Sequence, residues 1–271
     1  IVQAILGRYP GHGILGEEGG VMGTAGSDYR WVIDPLDGTT NYSQGLPIFS
    51  VSIALQHKGE TVAGVVYAPY LGELFWASKG GGAYMKSRSG EVKRLQVSAK
   101  QTLATSVLAT GFPYDKDVNP DNNSDNVARI VPYVRDIRRL GSAAYDLSCI
   151  AAGLLDGYWE LDLHEWDVCA ANLIVREAGG VVCDFRRNRG VSQAAGNEVL
   201  DGLLGGLGGG AHHHDHPLGV GGADVVEEPI VAAGKRAEAV HGLLHEGREG
   251  VVIGVAALPR LEEHVRVLGR A

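Results

Sequence analysis

Two aspartates three residues apart, Asp34 and Asp37, have the types and spacing of metal-binding residues. They follow a short hydrophobic run, and the segment that holds them reads Trp31-Val-Ile-Asp-Pro-Leu-Asp-Gly-Thr-Thr-Asn41. A proline-stiffened turn after a strand can aim both carboxylates, and the carbonyl of Leu36 between them, at one point. Three converging oxygen donors suit a hard cation such as Mg2+. An ordinary acidic turn with one aspartate capping a helix also accounts for the bare pattern.

The residues directly after Asp37 predict a seat for a phosphate group. Gly38, Thr39 and Thr40 stand where the chain is expected to enter a helix. Free backbone N–H groups and the positive end of the helix dipole attract an anion at such a point. One short segment therefore offers a place for a divalent cation beside a place for a phosphate.

Two more acidic sites lie elsewhere in the sequence. Glu17 and Glu18 form a second carboxylate pair, preceded by two apolar residues. Asp167 follows Trp166 at the expected start of a helix. Each site also has a plain structural interpretation, because the glutamate pair fits a solvated loop and Asp167 fits a helix N-cap.

Taken together, these segments resemble the inositol monophosphatase family. The family pattern runs from Gly-Glu-Glu through Trp-x-Ile-Asp-Pro-Leu/Ile-Asp-Gly-Thr-Thr-Asn to Trp-Asp and a helix that ends in Glu-Ala-Gly-Gly. All of these occur here in order, and the resemblance covers roughly residues 9–187 and 229–245. The matching stretches are Gly16-Glu-Glu-Gly19, the segment 31–41, Trp166-Asp167, Glu177-Ala-Gly-Gly180, Leu140-Gly-Ser-Ala-Ala144, Gly157-Tyr-Trp-Glu160 and Ile230-Val-Ala-Ala233.

The resemblance implies an active site made mainly of carboxylates. Glu17, Thr39 and Asp37 are the implied catalytic residues, with Thr39 and Glu17 positioning the attacking water on a metal ion. The backbone amides of Gly38 and Thr39 are expected to hold the phosphate, and Glu18 is expected to have a supporting role. The implied metal ligands are Glu17, Asp34, Asp37, Asp167 and the carbonyl of Leu36, and the implied substrate contacts are Gly38, Thr39, Gly141, Ser142, Ala143, Glu160 and Asp167.

The implied reaction is hydrolysis of a phosphate monoester by in-line attack of metal-activated water, without a phosphoenzyme. Mg2+ is the implied cofactor, and the leading substrate is inositol 1-phosphate or a related polyol or sugar phosphate. A histidinol-phosphate or nucleotide 3'-phosphatase of the same superfamily is an alternative, and a non-catalytic regulatory paralogue is another. Lithium sensitivity and a homodimer follow from the resemblance only. An Asp37→Asn change is expected to abolish Mg2+-dependent phosphate release and to leave the fold intact.

The net charge and hydropathy of the chain limit the kinds of molecule that it is expected to bind. With a formal net charge of -8 and a mean hydropathy of -0.01, the chain is expected to bind neither nucleic acid nor an anionic membrane. No apolar run approaches the ~20 residues of a membrane-spanning helix. The expected partner is a small-molecule phosphate monoester.

The cysteines and histidines are assigned no part in the chemistry. Without CxxC spacing, Cys149, Cys169 and Cys183 are expected to be buried free thiols, which suits a reducing compartment such as the cytoplasm or an organellar stroma. Three scattered histidines are interpreted as surface or packing residues: His12, His57 and His164.

The helices and strands that must position these residues can also be predicted. Their order along the chain predicts an α+β/α/β layered sandwich of helices and sheets. A mostly antiparallel half, residues 1–101, precedes an α/β half, residues 102–271. Strands are predicted over residues 30–33, 50–56, 61–67, 73–77, 105–109, 157–161, 181–185 and 230–233, with tight turns at 58–60 and 80–82. Helices are predicted over residues 124–134, 142–152, 168–178 and 235–245, with Ser142 as a helix cap.

Two stretches depart from the family pattern. Family members carry two further helices ahead of the Gly-Glu-Glu segment, whereas Glu17 here lies close to the first residue, and the chain lacks an initiator Met. The chain is therefore expected to be a fragment or a processed product that is poorly stable by itself, with any targeting segment lost from view. Residues 188–228, rich in glycine and histidine, are expected to form a low-complexity surface insertion with incidental metal affinity.

Overall fold

The computed structural model describes residues 1–183 and 194–196. The strand predicted over 230–233 and the helix predicted over 235–245 lie outside these ranges, as does most of the insertion predicted over 188–228. Three residues of that insertion, Ala194–Gly196, form a strand within a sheet, so the insertion prediction was wrong for them. Three small residues carry no detectable periodicity, which explains why this strand was not predicted.

The larger sheet has eight strands and belongs to the first half of the chain. The strands are β1 (Gly13–Gly16), β2 (Gly20–Gly23), β3 (Tyr29–Asp37), β4 (Ser50–His57), β5 (Glu60–Ala68), β6 (Glu73–Ser78), β7 (Gly82–Lys86) and β8 (Val92–Arg94). Their order across the sheet is β2-β1-β3-β4-β5-β6-β7-β8. Neighbours are antiparallel except β1 and β3, which run parallel. The strands predicted over 30–33, 50–56, 61–67 and 73–77 are confirmed.

The turn between β4 and β5 shows how local sequence sets the register of this sheet. Lys58 and Gly59 both have positive φ angles, of 51° and 82°. Two successive residues with positive φ form the type of tight turn whose twist matches that of an antiparallel hairpin. The break predicted at residues 58–60 is therefore confirmed, and it pairs His57 with Glu60 across the hairpin.

A five-stranded sheet belongs to the second half. Its strands are β9 (Val107–Thr110), β10 (Asp136–Arg138), β11 (Gly157–Trp159), β12 (Val181–Cys183) and β13 (Ala194–Gly196), in the order β10-β9-β11-β13-β12. Strand β9 is parallel to both of its neighbours, and β13 is antiparallel to both of its own. Strand-helix alternation along the chain thus gives a partly parallel sheet, as the sequence predicts.

Five α-helices accompany the sheets in the described ranges. They are α1 (Val2–Arg8), α2 (Thr39–Ser43), α3 (Ser124–Ile130), α4 (Ala143–Ala151) and α5 (Glu165–Glu177). Helix α3 ends earlier than predicted because Pro132 lacks the N–H group that would continue the helical hydrogen bonds. No helix in this part of the chain has the length and apolarity to cross a bilayer.

Helix α5 covers the larger sheet, although the two lie in different halves of the sequence. It contacts β3 to β7, and its buried face joins one core cluster with α4 and both sheets. At Gly64 of β5 a Cβ atom would lie 2.7 Å from the carbonyl oxygen of Ala170, so only glycine permits this close approach. The domain boundary expected after residue 101 stays a prediction, and the hydrophobic core crosses it.

The C-terminal end of α5 is tied to the glycine turn between β6 and β7. One carboxylate, that of Glu177, accepts hydrogen bonds of 2.7 Å from the backbone N–H groups of Gly80 and Gly82. Both glycines have positive φ angles, which turn their N–H groups toward the same side. The tight turn predicted at residues 80–82 is confirmed, and its exposed amides are satisfied by the helix.

Helix α1 and strands β1 and β2 were not predicted from the sequence. Helix α1 places Ile5 against Trp31 and other apolar residues on one face of the larger sheet. His12 stacks between Tyr9 and Tyr29, with ring centroids 4.9 and 4.8 Å apart, and its Nδ1 accepts a hydrogen bond from the Trp31 indole. The packing role expected for His12 is confirmed.

Two of the three cysteines can be placed. Cys149 and Cys169 are buried free thiols, as expected, and burial raises the pKa of each to about 12. Such thiols stay protonated at neutral pH and are inert as nucleophiles. The side chain of Cys183 lies outside the described part.

Candidate active site

Asp34 and Asp37 lie at the end of β3, where its pairing with β4 is interrupted. Asp34 pairs with Ser52 and Asp37 with Ser50, so β3 has one residue more than β4 between these pairs. Such a bulge bends a strand and re-aims its side chains. The backbone N–H of Leu36 donates to Asp34 Oδ1 at 2.7 Å, which fixes the orientation of that carboxylate. Both aspartates are fully buried.

Asp37 is held by hydrogen bonds from the opposite half of the chain. Its Oδ2 accepts from the hydroxyl of Ser142 at 2.6 Å, the hydroxyl of Ser50 at 3.2 Å and the N–H of Ala144 at 2.7 Å. Its Oδ1 accepts from the N–H of Ala143 at 3.1 Å. Asp37 therefore caps the first turn of α4 from outside, where the helix dipole favours a negative charge.

Ser142 is the N-cap residue of α4, as predicted, but its side chain acts on the helix only through Asp37. Helix α4 does begin directly after Ser142, but the serine side chain makes no capping hydrogen bond. Its hydroxyl donates to Asp37 instead, so the carboxylate replaces the hydroxyl as acceptor for the helix N–H groups. Asp37 lies 105 positions away from Ser142, beyond the reach of any local capping pattern.

The glycine after Asp37 brings the two halves of the site into contact. Gly38 has a φ angle of 91°, and a Cβ atom there would lie 3.0 Å from the carbonyl oxygen of Gly141. Thr39 starts α2, and its hydroxyl lies 3.4 Å from the carbonyl oxygen of Leu36. The segments expected to hold phosphate and substrate, 38–39 and 141–143, are thus direct neighbours.

Glu17 and Asp167 complete a group of buried acids. Glu17 follows β1 and is held there by a backbone hydrogen bond to Ile33, whereas Glu18 is exposed. Asp167 is the third residue of α5, and its Oδ2 accepts from the N–H of His164. The N-cap is therefore His164, so the alternative interpretation of Asp167 as the N-cap was wrong. Helix α5 begins three residues before its predicted start, at Glu165.

Burial and mutual repulsion raise the pKa values of these acids. Burial raises the pKa of Asp34 well above its ordinary value, and the negative charges of Asp37 and Glu17 raise it further. Burial, followed by the charges of Asp37 and Asp34, does the same for Asp167. The pKa of Asp37 rises to about 6 through burial, against the lowering effect of its hydrogen bonds.

The donor set fits a divalent cation. Asp34 Oδ2 and Asp167 Oδ1 are buried oxygens that accept no hydrogen bond. Buried carboxylates without donors are costly unless a cation pairs with them, and carboxylate oxygens are the ligands that Mg2+ favours. No three acidic, histidine or cysteine side chains within 1–183 and 194–196 already have the spacing of a metal-ligand set. The fit therefore rests on donor chemistry and on the two donor-free oxygens.

Glu160 forms another wall of the site. Burial raises its pKa to about 7, and the hydroxyl of Tyr158 donates to its Oε2. A Cβ atom at Gly111 would fall 1.8 Å from Glu160 Oε1, so the glycine leaves room for the carboxylate at the end of β9.

Three residues beside this group were not predicted from the sequence. Asp146 on α4 is buried, and burial together with the charges of Glu160 and Asp37 raises its pKa well above the ordinary value. The Nδ2 of Asn41 donates to the carbonyls of Ile48 at 2.7 Å and Leu140 at 2.6 Å, which joins the two halves. The pKa of Tyr114 is raised by burial and by nearby carboxylates, Asp167 first. An acid inside the apolar run of α4 was the available signal for Asp146, and the signal for Asn41 was its place at the end of the segment 31–41. Tyr114 offered none.

In the presence of a chelator, we expect the free energy of unfolding to fall as the pH rises. The folded protein holds protons on Asp37, Asp34 and Asp167 that the unfolded chain releases, because their folded-state pKa values are raised. The resulting stabilisation is complete below the unfolded pKa of about 4 and is lost as the pH rises through the folded pKa. For Asp37, shifted from 3.8 to about 6, the loss is on the order of 3 kcal/mol.

Thermal denaturation in EDTA between about pH 5 and pH 8 measures this effect. Added Mg2+ should restore the melting temperature most at the upper end of the range, where the carboxylates are ionised. A melting temperature in EDTA that stays level or rises across the range would contradict the assignment of these acids to one buried group.

Comparison with known proteins places this geometry in a family. The family model described as the inositol monophosphatase family matches residues 1–214. The chain belongs to the inositol monophosphatase family. The matched range contains every residue of the acidic group, and the layered fold predicted from the sequence is confirmed.

Relatives within the inositol monophosphatase family carry two kinds of name. "Nus factor SuhB" of Pasteurella multocida is 48% identical over 185 residues, which are 68% of this chain and 67% of the relative. "Inositol-1-monophosphatase" of Mesorhizobium japonicum is 43% identical over 199 residues, 72% of this chain and 73% of the relative. The solved structure of inositol monophosphatase from Anabaena is 39% identical, with a TM-score of 0.70 over 76% of this chain and 82% of that one. The family is thus a phosphatase family that also includes proteins named as Nus factors.

Proposed function

We propose that the chain is a Mg2+-dependent phosphate monoester hydrolase that acts on inositol 1-phosphate or a related polyol or sugar phosphate. The observation that carries the proposal is the group of buried acids at the end of β3, with raised pKa values and two oxygens that lack donors. Such a group is unstable in itself and suited to a hard divalent cation. The relative named inositol-1-monophosphatase supports the choice of substrate.

Glu17, Asp34, Asp167 and the carbonyl of Leu36 would hold the ion, together with one oxygen of Asp37. Because Asp37 Oδ2 accepts three hydrogen bonds and Oδ1 only one, Oδ1 is the oxygen with a lone pair to spare. Bound Mg2+ supplies activation of a water molecule and neutralisation of the charge on the leaving oxygen.

The chain's own residues bind and orient the reactants. The Thr39 hydroxyl and the Glu17 carboxylate orient the attacking water, Glu17 taking up its proton. The N–H groups of Gly38 and Thr39 bind the phosphate, next to the 141–143 segment on the facing side. Glu160, with a pKa of about 7, accepts or donates a hydrogen bond to a substrate hydroxyl near neutral pH. Orientation and charge neutralisation are the main demands of phosphoryl transfer.

A phosphate-release panel tests this proposal. Inositol 1-phosphate, a hexose phosphate, histidinol phosphate and a nucleoside 3'-phosphate are each incubated with the protein, with Mg2+ or with EDTA. We expect release that needs Mg2+ and is fastest for the polyol substrates, and we expect Li+ to inhibit it. If release is fastest from histidinol phosphate or from the nucleotide, the proposed substrate is wrong and the proposed reaction class stands.

A non-catalytic role is the second candidate, favoured by the relative named Nus factor SuhB. Under that role, folded protein would release no phosphate from any substrate in the panel. Circular dichroism on the same sample establishes that it is folded, so that this outcome contradicts the hydrolase. The intact set of acids favours the hydrolase. A homodimer is a further expectation, which size-exclusion chromatography with light scattering checks.

A further inference from the structure

A polar cluster lies between the larger sheet and the start of α5, on the side of the helix away from the acidic group. Its members come from β3, β4, β5 and α5, and we call it the Arg30 cluster. It consists of Arg30, Gln56, Thr61, Glu165 and Cys169.

Gln56 is the centre of the Arg30 cluster. Its Oε1 accepts from Arg30 Nε at 3.0 Å, and its Nε2 donates to Glu165 Oε1 at 2.9 Å and to Cys169 Sγ at 3.0 Å. Arg30 also forms an ion pair with Glu165, so the same carboxylate oxygen receives a charged and a neutral donor. Gln56 is 1% exposed, and both polar atoms of its side chain have partners within the cluster.

The Arg30 cluster fixes how α5 is rotated. Glu165 and Cys169 are four residues apart, lie on the same side of the helix and both contact Gln56 of β4. Asp167, two residues after Glu165, is about 200° further round the helix. Gln56 therefore holds the face opposite Asp167, and any rotation or shift of the first turn would move the Asp167 carboxylate.

A second contact fixes the distance between α5 and the sheet. The backbone of Ala170 lies against Gly64, where there is no room for a Cβ atom. The contact at Gly64 fixes the distance of the helix from the sheet, and the contacts of Gln56 fix its rotation. The first turn of α5 can therefore move little. The hydrogen bonds of this turn are directional, so they form at only one rotation of the helix. The apolar contacts of the remaining helix are not directional.

We propose that the Arg30 cluster is a positioning device for Asp167, which sets the affinity of the acidic group for a divalent cation. The inference rests on the proposed function only in assigning that cation to the site. Its residues act through the helix, and Arg30, Gln56 and Glu165 are positioning residues. Residues that orient a metal ligand typically change metal affinity or activity by about 10–100-fold when they are removed.

Metal binding without substrate is the primary test. Mn2+ is titrated calorimetrically into the unaltered protein and into Glu165→Ala and Gln56→Leu variants, the second being kept for the case that the first does not fold. We expect each variant to bind Mn2+ at least about tenfold more weakly. Arg30→Lys, which keeps the charge and loses the paired donors, should lie between them and the unaltered protein. Glu60→Ala is the matched control, because it removes an exposed ion pair with Lys79 on the same sheet.

The dependence of phosphate release on Mg2+ separates positioning from general damage. The concentration of Mg2+ needed for half-maximal rate should rise by the same factor, while kcat at saturating Mg2+ stays within about twofold. Folded Glu165→Ala and Gln56→Leu variants that bind Mn2+ as the unaltered protein does would overturn the inference and leave the proposed function standing. Tight Mn2+ binding without any phosphate release by the unaltered protein would contradict the proposed function alone.

Discussion

Asp34→Asn should abolish Mg2+-dependent phosphate release while raising the melting temperature of the metal-free protein. The substitution removes a buried charge that faces Asp37 and Glu17, which raise the pKa of Asp34 after burial itself. The asparagine keeps the oxygen that accepts from the Leu36 N–H, and its new NH2 group can donate to Glu17. A ligand oxygen is lost at the same time, so we expect activity to fall by at least about 100-fold.

Differential scanning calorimetry in EDTA, with a phosphate-release assay in Mg2+, measures both effects. In a chain of this size each kcal/mol of added stability raises the melting temperature by about 2–4 °C. Asp28→Asn is the matched control, because Asp28 is an exposed aspartate paired only loosely with Lys58. Asp34→Asn protein that keeps more than about a tenth of the activity would remove Asp34 from the proposed ligand set.

Asp37→Asn should abolish activity as well, but without the gain in stability expected of Asp34→Asn. An asparagine has only one oxygen, whereas the Asp37 carboxylate accepts four hydrogen bonds, two of them from N–H groups at the start of α4. The NH2 group of the asparagine would face one set of donors and leave them unpaired. With the NH2 group at the Oδ1 position, the Ala143 N–H loses its acceptor, and one unsatisfied buried donor costs about 1–3 kcal/mol, so we expect a loss of stability of that order.

Urea denaturation at neutral pH, compared with that of Asp34→Asn, tests this contrast between two aspartates three residues apart. Asp37→Ser, which keeps a small acceptor and removes the clashing NH2, should lose less stability than Asp37→Asn. Equal stabilities for Asp37→Asn and the unaltered protein would contradict the capping role of Asp37. The sequence predicts that this change leaves the fold intact, and the four hydrogen bonds predict that the fold is less stable.

Most of the proposed ligands and phosphate-binding residues lie in one short segment, whereas the residues that hold them in place lie far away in the sequence. Asp34, Leu36, Asp37, Gly38 and Thr39 lie in one short segment, so their types and spacing were visible before the structure. The donors that hold Asp37 come from residues more distant in sequence, Ser142 being 105 positions away. No periodicity or spacing rule reaches that far, which is why the hydrogen bond from Ser142 to Asp37 was not predicted.

The strands and helices also differ in whether the local sequence predicts them. Strands β4 and β5 are long, rich in β-branched residues and joined by a two-residue turn, so the local pattern predicts them. Strands β1, β2 and β13 are three or four residues long and contain glycine or alanine at half or more of their positions, and they exist because a neighbour pairs with them. The first turn of α5 was missed because the acidic residues Glu165 and Asp167 interrupt the apolar pattern of the helix.

The attachment of α5 at both ends also determines when the protein can fold during synthesis. Glu165 reaches back 109 positions to Gln56, and Glu177 reaches back 97 positions to Gly80. A ribosome that has made all eight strands of the larger sheet has not yet made the helix that buries their inner face. The nascent sheet therefore stays uncovered, and exposed to aggregation, until residue 177 has left the exit tunnel.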